Sequence, residues 1–234
     1  MKLSEFHSLF PGSVRWRITA ASGCDVEGVG VELPDAANMR RAITTTTKYA
    51  SAYSQAAVAA RVPVELLIAC SLTEATPDNP NTDVDEQVTC IRKEPGYVSD
   101  AQTPGKISAG FCQLLISTAR GVMGNPKIDR EWLLNIDNNL LACGTYIRQK
   151  SKQTGFDPVL VACAYNAGGL YQNDNANNRW RLRQFPIGTS RHADRFMAFF
   201  NAAMQFTREG LITEPCPTFR ELLSGQSDQQ RESI

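Results

Sequence analysis

The stretch Val62–Thr76, VPVELLIACSLTEAT, decides the fold. Pro63 suits the first position of a helix, where its missing N–H is no loss. Glu65 follows in the first turn, where the helix dipole favours a negative charge. Pro77 disfavours the α conformation at Thr76, so the spacing predicts a helix that stops there. Between these limits nearly every residue is apolar or small. Leu67, Cys70 and Glu74 fall at i, i+3 and i+7 and share one face. Glu74 therefore continues an apolar stripe and is expected to be partly desolvated near the negative end of the helix. Both effects disfavour its ionised form and push its pKa up. A carboxylic acid that keeps its proton near neutral pH is what general acid catalysis needs. Taken alone, the helix favours a plainer reading, a solvated glutamate in a last turn. The rest of the chain changes that balance.

Working outward, Asp35 can cap one long helix over Ala36–Ala60, with Ala50, Tyr53, Ala57 and Ala60 inward and the threonines 44–47 weakening local propensity. Residues 1–34 carry no helix pattern. Val14, Trp16 and Ile18 alternate with arginines, which predicts a short strand, with Val29–Leu33 as its partner. On the other side, residues 75–107 hold four prolines, many polar residues and a short alternating run near Gln87–Arg92. This reads as a long loop with a small hairpin, and a loop of that length inside a compact domain is usually functional. Gly110–Gly124 opens a third helix. Asp129 is expected to cap the next, with Trp132, Ile136, Leu140, Cys143 and Ile147 at helical spacing and Gly155 as its stop. Asp157-Pro158 starts another and Gly168-Gly169 ends it. Ser190 can cap a last helix with Phe196, Phe199, Ala203 and Phe206 inward, up to Gly210. The expected class is mainly α, α+β at most, divided into an N-terminal appendage (1–34), a helical domain (35–212) and a polar, loosely held tail (213–234).

The totals limit the function. The chain has 234 residues, 42% hydrophobic and 21% charged, enough for one sizeable core. Lys+Arg and Asp+Glu both number 24, so no basic excess marks a nucleic-acid or anionic-membrane binder. No apolar run reaches the roughly 18 residues of a membrane span, and no secretory leader is visible at the N-terminus. The seven cysteines are odd in number and widely spaced, without a CxxC or Cys/His cluster. They read as reduced, mostly buried thiols, and neither a metal nor a cofactor is expected.

Four segments then stand in order: LLIACSLTEA (66–75), SAGFCQLLISTAR (108–120), NIDNNLLACGTYIRQ (135–149) and ACAYNAGG (162–169). Their succession resembles the soluble lytic transglycosylase and goose-type lysozyme superfamily of peptidoglycan-cleaving enzymes, over roughly Pro63–Gly169. SRHADRFMAFF (190–200) resembles the closing helix of that superfamily, more weakly. The resemblance implies a lysozyme-like helical domain with the long loop or hairpin lining its cleft. It places Glu74 as the acid/base. Gly110, Phe111, Cys112 and Gln113 take the place of a Gly-Leu-Met-Gln turn that lines the sugar cleft, and Tyr165 and Asn166 that of a Tyr-Asn pair beside the glutamate. Ala75 departs from the usual Ser after the glutamate, and Phe111-Cys112 from Leu-Met.

The chemistry is intelligible from the residues. Glycosidic cleavage needs a proton on the leaving oxygen and stabilisation of an oxocarbenium-like centre. Glu74 can supply the proton and then, as base, take one from the muramyl 6-hydroxyl to close a 1,6-anhydro ring. The substrate's own N-acetyl group assists, so a second carboxylate is not obligatory. The Tyr165 hydroxyl can orient Glu74 or that acetamido group, and the Gln113 and Asn166 amides can bind acetamido groups. Tyr165 also reads as a core aromatic, Asn166 as a helix-end residue, Gln113 as a surface amide, and Asn135, Gly144 and Tyr146 as helix-packing positions.

The expectation is cleavage of the MurNAc–GlcNAc β-1,4 bond by a lytic transglycosylase. The close alternative is a hydrolytic muramidase whose second carboxylate is Glu94 or a neighbour, Asp83, Asp85, Glu86 or Asp100, holding a water. The alternative of another class is a non-catalytic glycan-binding or structural module, which Ala75 and Cys112 would suit. The run Arg179-Trp180-Arg181-Leu182-Arg183 reads either as a sugar-stacking surface or as an anchored Trp with solvated arginines. His7 and His192 show no metal partners. The expected partners are peptidoglycan strands, with a cognate immunity or inhibitor protein or a delivery apparatus, and neither nucleic acid nor a bilayer. Synthesis in the cytoplasm without a visible leader implies delivery to the periplasm or wall, as a phage lysin or a secreted effector.

Overall fold

The computed structural model describes residues 2–75 and 84–231 of the chain. Among the described residues helices dominate, with two small antiparallel sheets. The class is the mainly α one expected from the periodicities.

The centre of the fold is α3 (Val64–Glu74). Val64 to Thr73 are all buried, so this helix is wrapped by others on every side. It is one residue shorter at its start and two at its end than the sequence suggests. Pro63 lies at the N-cap in extended geometry and Ala75 closes the other end. The preceding helix is two helices, not one. Asp35 caps α1 (Ala36–Lys48), its carboxylate accepting from the backbone N–H of Ala37 and Asn38 at 3.0 and 2.9 Å. The helix breaks at Tyr49 (φ −111, ψ 21), directly after the threonine run, and resumes as α2 (Ala50–Ala60). β-Branched residues lose χ1 freedom in a helix, so the run offers little resistance to the break. Arg61 then turns left-handed (φ 55), and the chain bends by 120° into α3.

Around α3 lie α7 (Ile136–Thr154), α8 (Pro158–Ala167) and α9 (Arg191–Glu209). The long α9 runs along α3, and α7 packs on α2. Asn135 caps α7 by accepting from Asn138 N–H at 3.1 Å, and Asp157 caps α8 through Val159 and Leu160 N–H. Asp129 caps a short separate helix, α6 (Arg130–Leu134), ahead of α7. The faces predicted to point inward do so: Leu140, Cys143 and Ile147 of α7 and Phe196, Phe199, Ala203 and Phe206 of α9 are buried. Ser190 precedes α9 but gives no backbone cap. Its hydroxyl donates to Asp194.

After α3 the described chain resumes with α4 (Val84–Val88) and a three-stranded sheet of β3 (Ile91–Lys93), β4 (Ile107–Ala109) and β5 (Leu114–Leu115). Arg92 pairs with Ser108, and Ser108 with Leu115. Residues 110–113 are therefore the β4–β5 turn and not the start of a helix, which begins only at α5 (Ile116–Met123). Gly110 (φ +77) and Gln113 (φ 47) both hold left-handed backbone, which a helix does not tolerate.

At the N-terminus, β1 (Trp16–Thr19) pairs with β2 (Gly23–Val26), a tight hairpin in place of the more distant partner at 29–33. The short turn closes less loop, and it brings Cys24 and Val26 to the same buried side as Trp16 and Ile18. The buried Asp157 accepts from Trp16 Nε1 at 2.8 Å and lies 2.7 Å from His7 Nε2. Asn201 of α9 bonds Cys24 N–H at 2.7 Å. These contacts seat the described residues 2–34 on the helices. The polar C-terminal stretch carries a helix, α10 (Phe219–Arg231), and Phe219 is buried edge-on against Phe200 at 5.0 Å.

Candidate active site

Glu74 is the one residue of α3 that reaches the surface, its side chain 14% exposed at the open end of a fully buried helix. Two elements close on it. From α9, His192 places Nε2 2.9 Å from Glu74 Oε1, and Arg195 donates to the Thr73 carbonyl at 3.4 Å. The β4–β5 turn brings Cys112 near enough to interact with the Glu74 carboxyl. The α3–α9 packing sets the first of these distances, because His192 lies in the first turn of α9 and Glu74 in the last turn of α3.

The turn is clamped by two side chains. Asn139 of α7 donates from Nδ2 to the carbonyls of Ala109 (3.0 Å) and Leu133 (2.8 Å), and its Oδ1 accepts from Cys112 N–H at 2.8 Å. Tyr165 of α8 donates its hydroxyl to the Cys112 carbonyl at 2.8 Å. A Cβ on Gly110 would stand 2.2 Å from both Asn139 Nδ2 and the Leu133 carbonyl. Only glycine permits so close an approach with a positive φ.

The sequence-derived site residues thus fall into distinct places. Glu74, Cys112 and Tyr165 are brought together. Burial pushes the Tyr165 hydroxyl well up, so it stays a donor. Its hydroxyl is directed to the backbone and not to the Glu74 carboxylate. Phe111 is buried completely between Tyr49 and Tyr53, with ring centroids 6.0 and 6.2 Å away, and so belongs to the core. Gln113 is 9% exposed, and its amide is occupied. It donates to the carbonyls of Gly110 (2.7 Å) and Cys90 (3.0 Å) and accepts from Ser108 at 3.0 Å. Asn166 is half-buried and accepts from Phe185 N–H, which ties the segment after α8 to the end of that helix. Beneath Glu74, the thiols of Cys70, Cys112 and Cys143 lie within reach of one another. Burial drives those of Cys70 and Cys112 well above the ordinary thiol range, so they are neutral filling.

Glu94 is exposed at the end of β3, its backbone N–H donating to the Lys106 carbonyl at 2.8 Å. Asp100 is taken up elsewhere. Arg130 grips it at 2.7 and 2.8 Å, Tyr97 donates to it at 2.7 Å, and the guanidinium holds its carboxyl below the usual range. Asp83 and the side chain of Asp85 lie outside the described residues, as does part of the proposed cleft loop. Trp180 offers no sugar platform. It is fully buried, donates to Asp194 at 2.8 Å and meets Trp16 edge-on at 5.5 Å.

Sequence reasoning missed His192 and Asn139, though both lie on stripes already recognised. His192 is four residues before Phe196, and Asn139 four before Cys143, so each extends an inward-facing row by one position. A polar residue on such a row is the detectable mark of a buried hydrogen-bonding role.

Residues 71–184 match the family model of the transglycosylase SLT domain, in agreement with the resemblance carried by the four segments. The matched stretch runs from the second half of α3 through the turn, α7 and α8, and stops before α9. No curated protein and no solved structure matches the chain. At family level the match supports a peptidoglycan-degrading function of the lytic transglycosylase type.

Proposed function

We propose, from the premise of a transglycosylase SLT domain over residues 71–184, that the protein cleaves the MurNAc–GlcNAc β-1,4 bond of peptidoglycan with Glu74 as its single acid/base. The observation that carries this reading is the placement of Glu74. It is a partly exposed carboxylate at the end of an otherwise buried helix, inside the matched segment and near a turn held by Asn139 and Tyr165.

The protonated Glu74 donates its proton to the glycosidic oxygen as the C1–O4 bond breaks. The muramyl N-acetyl group steadies the oxocarbenium-like centre. The Glu74 carboxylate then takes the proton from the muramyl O6 as O6 bonds C1, which closes a 1,6-anhydro ring and restores the acid. No water is consumed. The Cys70 and Cys112 thiols, which burial keeps neutral, add no competing charge beside the carboxylate.

Hydrolysis instead would need a carboxylate to hold water on the far side of the sugar. Asp100 is engaged by Arg130 and Tyr97, and Glu94 is solvated, so neither supports that reading. A purely binding module would not need a glutamate in this position. The reading carries with it delivery to the periplasm or wall, by a phage or secretion route, and an effector of that kind would travel with an immunity protein in its producer.

Glu74→Gln keeps the shape and the acceptor for His192 but cannot exchange a proton with the glycan. On purified sacculi it should lose at least about 100-fold in solubilising activity while still sedimenting with them. Wild-type turnover by this variant would end the proposal.

A further inference from the structure

We infer that His192 is a positioning residue for Glu74: its Nε2–H holds Oε1 so that the catalytic proton resides on Oε2. The inference rests on the proposed role of Glu74 and adds a residue that lies outside the matched family segment.

Three observations carry it. The Nε2–Oε1 distance is 2.9 Å, a well-formed hydrogen bond. The imidazole side chain is only 9% exposed, so the bond is shielded from water. The other ring nitrogen, Nδ1, is buried with no hydrogen-bond partner among the described residues. A neutral imidazole carries one N–H. Placing it on Nδ1 would bury an unsatisfied donor, whereas placing it on Nε2 gives it to the carboxyl. The environment thus selects the Nε2–H tautomer.

The consequence follows from carboxyl geometry. Oε1 accepts from Nε2–H whether Glu74 is protonated or not, so Oε1 is occupied throughout. A proton on Glu74 then belongs on Oε2, the oxygen left for the glycan. When that O–H bond breaks, the electron pair stays on the carboxylate and the Nε2–H bond stabilises the charge that develops. His192 itself exchanges no proton with the glycan. The same bond limits rotation of a side chain at a helix end, where Glu74 has the freedom to turn away. Arg195, one turn further along α9, bonds the Thr73 carbonyl and fixes the backbone behind it. Asp194 is committed to Arg179, Trp180 and the Ser190 hydroxyl, so it does not compete for the ring.

The test compares His192→Phe, His192→Gln and Glu74→Gln on sacculi, with thermal melts as a control for folding. Phe keeps the ring without a donor, and Gln restores an N–H. The expected result is a fall in kcat of about 10- to 100-fold for His192→Phe at unchanged KM and unchanged melting temperature, with most of it recovered in His192→Gln. Long-range 1H–15N spectra of the wild type should show the Nε2–H tautomer at neutral pH, a readout that needs no activity. A wild-type kcat in His192→Phe, an equal loss in both His192 variants, or the Nδ1–H tautomer would overturn the inference and leave the role of Glu74 standing if Glu74→Gln is inactive. An active Glu74→Gln would instead remove the proposed function, and this inference with it.

Discussion

Glu65 sits in the first turn of α3, fully buried, with the Thr207 hydroxyl donating to one carboxylate oxygen at 3.0 Å and Phe219 N–H to the other at 2.8 Å. Burial outweighs these bonds and raises its pKa to about 7. Below the unfolded value near 4.5 the group is protonated in both states and costs nothing. As pH rises toward 7 the unfolded chain releases the proton first, so stability falls, by about 3 kcal/mol in all, and then levels off. In Glu65→Gln the amide oxygen can still accept from Phe219 N–H, and the Thr207 hydroxyl can turn to the Ala203 carbonyl at 3.2 Å. Denaturant melts at pH 5 and pH 8 should therefore show the wild type losing stability relative to the variant. Parallel pH dependence in the two proteins would show that the carboxyl is not desolvated as described. At this scale the sequence is an uneven guide. The 3.6-residue period identifies the row on which Glu74 lies, but it cannot tell that Gln113 spends its amide on backbone carbonyls or that His192 meets Glu74. Both depend on contacts between segments far apart in the chain.

Gly144 shows the same limit at the scale of elements. A Cβ there would lie 2.8 Å from the Ala60 Cβ and 3.4 Å from Leu67, so α7 approaches α2 and α3 closely only because this position is bare. In an open helix Gly→Ala stabilises by about 1 kcal/mol. Here overpacking should prevail, with a net loss of about 1–2 kcal/mol in denaturant melts. A stabilised Gly144→Ala would mean that the three helices separate without penalty. Helix ends were legible where capping chemistry is local: Asp35, Asp157 and Gly155 act where their neighbours indicate. The break at Tyr49 and the strand pair flanking Gly110–Gln113 were not. Their backbone is dictated by Asn139 and by sheet pairing, which override the helix-like apolar spacing of GFCQLLIS.

Across the whole molecule, one hydrophobic core joins the N-terminal hairpin, the helices around α3 and the base of α10. Residues 1–34 read as an appendage because their anchors are distant in sequence. Asp157, expected only as a helix cap, also holds Trp16 and His7. The His7 ring is partly buried, which opposes protonation, but Asp157 and the Glu5 carbonyl outweigh this and raise its pKa. The fold places the Glu74 carboxyl, partly exposed, at the surface of this core, and the proposed function stands on what that carboxyl makes. The most direct measurement is mass spectrometry of the fragments released from purified sacculi by the wild-type protein. One carboxyl that returns its own proton, with no water held opposite, predicts muropeptides ending in 1,6-anhydro-N-acetylmuramic acid, and their absence from a Glu74→Gln digest. Fragments ending in reducing N-acetylmuramic acid, one water heavier, would contradict the account and require a second carboxylate to activate that water.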